Sequence, residues 1–232
     1  MSVRLATPIR ALAFSLVFAL GAGAVHGQQA NPSAMLQDVV GFYTGTSGTV
    51  DDPRAHDLLV EAAATGDVLS RMWLARCYSR GRMLFDRDEE QARAIASELI
   101  DQVAELAVAD NHEAAFLMGT AYAEGLGVEA DQAMAIAWYH RAADLDNVLA
   151  QHNLGNAYRA GDGVVRDDGI AVYWYRRAGG QGDALPAFWL GQMYERGEGV
   201  TADREEALRW YRDSAGRGNG RAKDALDRLG AR

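Results

Sequence analysis

One spacing constrains this chain more than any other feature: the same residues return every 36 positions. Met118-Gly119, Leu154-Gly155 and Leu190-Gly191 stand in step, followed by Tyr122, Tyr158 and Tyr194. The pairs Gly125/Gly127, Gly161/Gly163 and Gly197/Gly199 keep the same register, as do Val128, Val164 and Val200. Asp131, Asp167 and Asp203 come next, then Trp138-Tyr139, Trp174-Tyr175 and Trp210-Tyr211. Self-similarity at a fixed period of this length is the mark of stacked repeats, each too small to bury its own apolar face.

Within the unit 111–146, Ala114, Leu117, Met118, Ala121 and Tyr122 fall at i, i+3, i+4, i+7 and i+8, one stripe of a first helix. Gly125-Leu126-Gly127-Val128 breaks it, because glycine tolerates the positive φ of a tight helix exit. Asp131 is placed to accept backbone N–H bonds as the N-cap of a second helix, whose apolar stripe is Ala135, Trp138, Tyr139 and Ala142. Gly119, Gly155 and Gly191 sit in mid-helix, where glycine costs about 1 kcal/mol against alanine. That cost implies a neighbour too close to admit a Cβ.

The sequence therefore divides into units at 111–146, 147–182 and 183–218. A divergent unit at 68–110 carries Leu74-Ala75, Tyr78, Gly81, Asp88 and Ala92, with about two helical turns inserted near 98–106. A degenerate half unit covers 51–67, and Met35, Val39, Phe42 and Tyr43 within 28–50 could form its first helix. Ala222 and Leu226 open a last helix over 219–232 that closes the array.

The wording of the unit, from Ala115 through Met118-Gly119, Tyr122, Gly125-x-Gly127-Val128, Asp131 and Trp138-Tyr139 to Ala142, resembles the Sel1-like repeat, a relative of the tetratricopeptide repeat. The likeness extends from about Asp51 to Leu229 and departs from the pattern at Gln151, Met118 and Ser214. It implies an all-α, right-handed α/α solenoid of helix–turn–helix units. It also implies a scaffold or adaptor that holds other proteins, often in bacterial envelopes or in signalling. One secreted branch of the family ties each helix pair with a disulfide, and the single cysteine here excludes that feature.

Catalytic, cofactor and metal sites are not indicated. His56, His112, His140 and His152 have no partners at metal-ligand spacing, and Cys77 stands in a small-residue core slot. Gly125-x-Gly127-x-x-Ala130 imitates a dinucleotide fingerprint, which needs a preceding strand where this pattern predicts a helix. Asp162-Gly163 and Asp167-Asp168 read as turn and cap residues, because Val164 occupies the position of a calcium-loop ligand. The expected protein is not an enzyme and uses no cofactor; an envelope hydrolase acting on cell-wall or β-lactam-like substrates is the alternative.

A binding surface can be placed on the helical wheel. Counting each unit from Asp67, Asn111, Asn147 and Asp183, the fifth position lies about 160° from the core stripe. It holds Met72, Phe116, His152 and Phe188, flanked by Arg76, Thr120, Asn156 and Gln192, and by Ser79, Ala123, Arg159 and Glu195. An outward row of large apolar residues with polar neighbours predicts a groove for a protein or peptide on the concave face. The same row could instead pack against the first helix of the next unit.

The N-terminus reads as an address. Arg4 and Arg10 precede an apolar run of 15 residues, Ala11–Val25, with small residues after it, the layout of a secretory signal peptide. A bilayer span needs about 20 residues, so cleavage after Gly27 is expected, giving a periplasmic or secreted protein without stable membrane insertion. A tethered assembly factor that keeps this segment is the other possibility. Removing 1–27 leaves 21 bases against 32 acids, a net charge of −11. Such a chain repels nucleic acid and favours basic partner segments.

Overall fold

The computed structural model describes residues 31–231, and among them every regular element is a helix. The expected signal segment, 1–27, lies outside the described residues. First helices are α1 (Pro32–Thr44), α3 (Val68–Arg80), α5 (His112–Glu124), α7 (Val148–Ala160) and α9 (Ala184–Arg196). Each is followed by its second helix: α2 (Asp52–Ala64), α4 (Glu89–Val108), α6 (Gln132–Asp144), α8 (Asp168–Gly180) and α10 (Arg204–Gly216). A short α11 (Gly220–Arg228) ends the array. Each helix packs on its neighbours in the chain, which is the contact pattern of a solenoid.

Local chemistry fixes these boundaries. The N-cap of every helix is Asp or Asn, and its side chain accepts a backbone N–H of the first turn, as Asp131 does from Met134 at 3.0 Å. First helices end on a left-handed glycine: Gly45, Gly81, Gly125, Gly161 and Gly197. Each hairpin is then pinned across its loop. The Asp131, Asp167 and Asp203 N–H groups donate to the carbonyls of Tyr122, Tyr158 and Tyr194, all at 2.9 Å.

Packing within a unit turns on the mid-helix glycine. A Cβ at Gly119, Gly155 or Gly191 would overlap the ring of Tyr139, Tyr175 or Tyr211 on the paired second helix. Packing between units turns on the second loop glycine. A Cβ on Gly163 would come within 2.9 Å of the Gln132 carbonyl, at the start of the preceding second helix. Gly127 meets the Ala96 carbonyl at the same 2.9 Å, although Ala96 lies well inside α4. The α4 helix has 20 residues where α6 and α8 have 13. The start of α4 is pinned like the other second helices, with the Asp88 N–H donating to the Tyr78 carbonyl at 2.8 Å, so the next unit sits about two turns further along the longer helix.

The two ends of the array meet. The Val50 N–H donates to the Arg217 carbonyl at 3.0 Å, and Arg217 Nη1 reaches the Gly45 carbonyl at 3.4 Å. The loop between α1 and α2 thus touches the turn between α10 and α11, closing the array into a ring with the first helices inward. At the last unit, Arg228 forks onto Glu195 at 2.7 and 2.8 Å and holds α11 against α9.

Candidate functional site

The fifth-position row is not an exposed groove. Met72, Phe116 and Phe188 are buried, Phe116 completely. The Phe116 ring lies 5.8 Å from Trp73 of the preceding first helix and 6.1 Å from Tyr139 of its own second helix. Phe188 packs 5.9 Å from Tyr211 in the same way. A wheel drawn for one hairpin counts only the paired helix as core, whereas in the ring each first helix also faces the first helices beside it. His152 in the same row is half-buried and bonds Asp183 of the next unit at 3.0 Å. Thr120 is buried as well, 3.4 Å from the Tyr139 hydroxyl, which donates to it.

What the inner face offers is polar. A cavity of about 440 Å³ lies between the two ends of the ring, lined by Tyr43, Val50 and Asp52 on one side and Leu185 and Asn219 on the other. Its floor carries Arg76, His152, Asn153 and Asn156. A second cavity of about 260 Å³ continues from it and shares Arg76, Arg82, Asn153 and Asn156. Of the twelve residues in that row and its flanks, these cavities gather Arg76, Thr120, His152 and Asn156. Arg159 stands apart, over the Trp189 ring at 4.2 Å with its Nε donating to the Tyr175 hydroxyl. Gln192 is half-buried and lines neither cavity.

Arg76 is the unusual member. Its guanidinium carbon lies 4.5 Å from the Trp73 ring centre, 5.3 Å from Phe116 and 5.4 Å from Tyr43. The side chain is 6% exposed, and its Nε and Nη1 have no hydrogen-bond partner. Burial opposes the cation, but Tyr43, Cys77 and Glu124 outweigh it, so the pKa stands above the ordinary arginine value. Glu124 itself is taken by Arg82 at 2.5 Å, Arg80 at 3.4 Å and the Ser79 hydroxyl. Burial raises its carboxyl, yet these partners hold it below the usual range. Asn156 is oriented by Tyr175, whose hydroxyl donates to Oδ1 at 2.7 Å and leaves the amide nitrogen as the free end.

A further cavity of about 240 Å³, beside the start of α5, collects Leu36, Val40, His112, Glu113 and Asn147. Burial pushes the Glu113 carboxyl up, against the pull of its donors. Both its oxygens are occupied, by Trp73 Nε1 at 2.5 Å and Asn147 Nδ2 at 2.9 Å, which makes it a tie between three units. Cys77 is fully buried, and burial raises its thiol to about 12, so it stays protonated. Among the described residues no group of three or more His, Cys, Asp and Glu side chains could hold a metal ion, and no helix is long and apolar enough to cross a membrane.

The sequence model of the Sel1 repeat matches residues 68–98, 112–147, 148–183 and 187–219. A Sel1 repeat protein from Oxalobacter formigenes is similar in structure, with a TM-score of 0.56 and 30% identity over 84% of this chain and 77% of that one. A protective antigen present in uropathogenic Escherichia coli strains and displaying an SLR fold also gives a TM-score of 0.56, with 28% identity over 86% of this chain. The chain spans about half, 49%, of that antigen's length. Comparison with the curated proteins gave no match.

Proposed function

This chain belongs to the Sel1 repeat family, and from that premise we propose that it is an exported, non-catalytic scaffold that holds a protein or peptide partner on its inner face. Sel1 repeat proteins are in general protein-interaction scaffolds. The observation that carries the reading is the inner cavity of about 440 Å³, floored by the polar side chains of Arg76, His152, Asn153 and Asn156. That volume lies within the range of about 300–1,000 Å³ typical of ligand sites. The eleven capped helices form this surface before any partner arrives, which lowers the ordering cost of binding.

The test uses the chain from Gln28 onward as an immobilised bait in envelope extract, beside an Asn153→Trp variant that fills the cavity without entering the packed core. A partner held by the first and lost by the second, with equal helix content, supports the inner-face assignment. Equal capture would move the contact to another surface. Export is tested by N-terminal sequencing of the secreted or periplasmic fraction, where Gln28 is the expected first residue.

A further inference from the structure

We propose that the ring is a clamp of two halves, which part at the Val50–Arg217 contact to admit a partner to the inner cavity. The role given to this movement rests on the scaffold reading; the movement itself does not. The buried apolar side chains form two clusters, one running from α1 to α7 with Trp174, the other from α8 to α11. On the inner face the break falls where the fifth-position row loses its apolar side chain. Trp73 packs on Phe116 where α3 meets α5, but the next member of the row is His152. There α7 meets α9 through polar contacts, His152 Nδ1 on Asp183 at 3.0 Å and Arg159 over the Trp189 ring at 4.2 Å. His152 and Asp183 both line the cavity, so water entering it can replace each partner when the halves part. An interdigitated apolar seam has no such substitute. Across the break α7 and α8 stay joined as one hairpin, the Tyr175 ring resting on Gly155, and that joint is the pivot.

Away from the pivot the halves meet at a thin contact. The Val50 N–H to the Arg217 carbonyl at 3.0 Å and Arg217 Nη1 to the Gly45 carbonyl at 3.4 Å join them there. Val50 is 39% exposed, so its side chain adds little burial. The cavity of about 440 Å³ lies along the same line of separation. Tyr43, Val50 and Asp52 on its wall belong to one half, and Leu185, Gly218 and Asn219 to the other. Open space at the junction leaves few packed side chains to pull apart. Each hydrogen bond contributes little net free energy, because water replaces it on opening. The open and closed forms are therefore close enough in free energy for both to be populated. Hinged closure of two rigid bodies around a ligand is a common form of such a change.

The experiment places spin labels on introduced cysteines of the full chain and reads distance distributions by double electron–electron resonance, with no partner present. Glu61→Cys/Arg212→Cys spans the contact, Glu61→Cys/Val108→Cys lies within one half, and Gly180→Cys/Arg212→Cys lies within the other, all at exposed positions. Cys77 is fully buried and stays unlabelled. The spanning pair should give two distances and each internal pair one. Val50→Pro removes the donor to Arg217 and should raise the longer-distance fraction several-fold, the effect of one lost hydrogen bond. Arg217→Ala removes the bond to Gly45, should act in the same direction, and serves if Val50→Pro does not fold. One distance for the spanning pair in the parent chain and in the folded variants would overturn the proposal. Equal broadening of the internal pairs would overturn it too, as the sign of a solenoid that bends throughout. The role is read with Gly45→Cys/Arg217→Cys as the bait in envelope extract: capture should fall on oxidation and return with dithiothreitol. Equal capture by both forms would overturn the gate and leave the scaffold reading intact. An extract that yields no partner would count against the scaffold reading, and the distances would still decide the movement.

Discussion

Glu195 and Glu113 show how one residue type is driven in opposite directions by its place in the ring. Glu195 receives two hydrogen bonds from Arg228 and one from the Tyr211 hydroxyl at 2.7 Å, and these hold its carboxyl down to about 2 against the effect of burial. A depressed carboxyl contributes stability that is present above its unfolded value and lost as pH falls through the folded one. The clamp on α11 should therefore weaken between about pH 4.5 and about pH 2. Arg228 is 57% exposed, so solvent screening limits the pair to about 1 kcal/mol. Melting curves of Glu195→Gln should lie below wild type at pH 6 and converge with it toward pH 2; a constant gap would mean the clamp is not ionic. Glu113 has the reverse sign: raised by burial, its contribution is complete in acid and declines as pH rises above the usual carboxylate range.

At the scale of the helices, two glycines test which term dominates. Gly155→Ala gains up to about 1 kcal/mol of helix propensity. Against that, its Cβ would overlap the buried Tyr175 ring, and overpacking of this kind costs about 1–3 kcal/mol. The variant should lose about 1 kcal/mol, whereas Gly180→Ala, at the end of α8 with nothing within 4 Å, should gain a few tenths to about 1 kcal/mol. Urea titration of both reads the signs directly, and a stable Gly155→Ala would refute the ring contact. These glycines, the acidic or amide caps and the helix–turn–helix unit were legible in the sequence because each is a local device repeated at one period. Phe116 and Phe188 were misplaced because each reaches a tyrosine ring of its own second helix, and Phe116 also Trp73 of the preceding unit, which a single helical wheel does not contain. The extra length of α4 was legible too, and the next unit follows it, its Gly127 meeting Ala96 about two turns past the helix start. Arg76 stood among the expected binding residues as one polar flank among several. Its aromatic cage joins α1, α3 and α5 and has no signature at any fixed spacing.

Closure is a property of the whole molecule and follows from no single unit: Gly45 and Arg217 are 172 positions apart. A Cβ built on Gly45 lies 3.5 Å from the Cβ of Arg217, at the short end of the disulfide range of about 3.5–4.5 Å. Gly45→Cys places a side chain at φ +87°, a left-handed strain of about 1–2 kcal/mol. Closing a loop of this length stabilises by about 2–4 kcal/mol, so the double variant Gly45→Cys/Arg217→Cys should oxidise and melt higher than its reduced form. Cys77 does not compete, being fully buried with its thiol raised to about 12. A melting temperature unchanged by oxidation would mean that the two turns are not held together in solution.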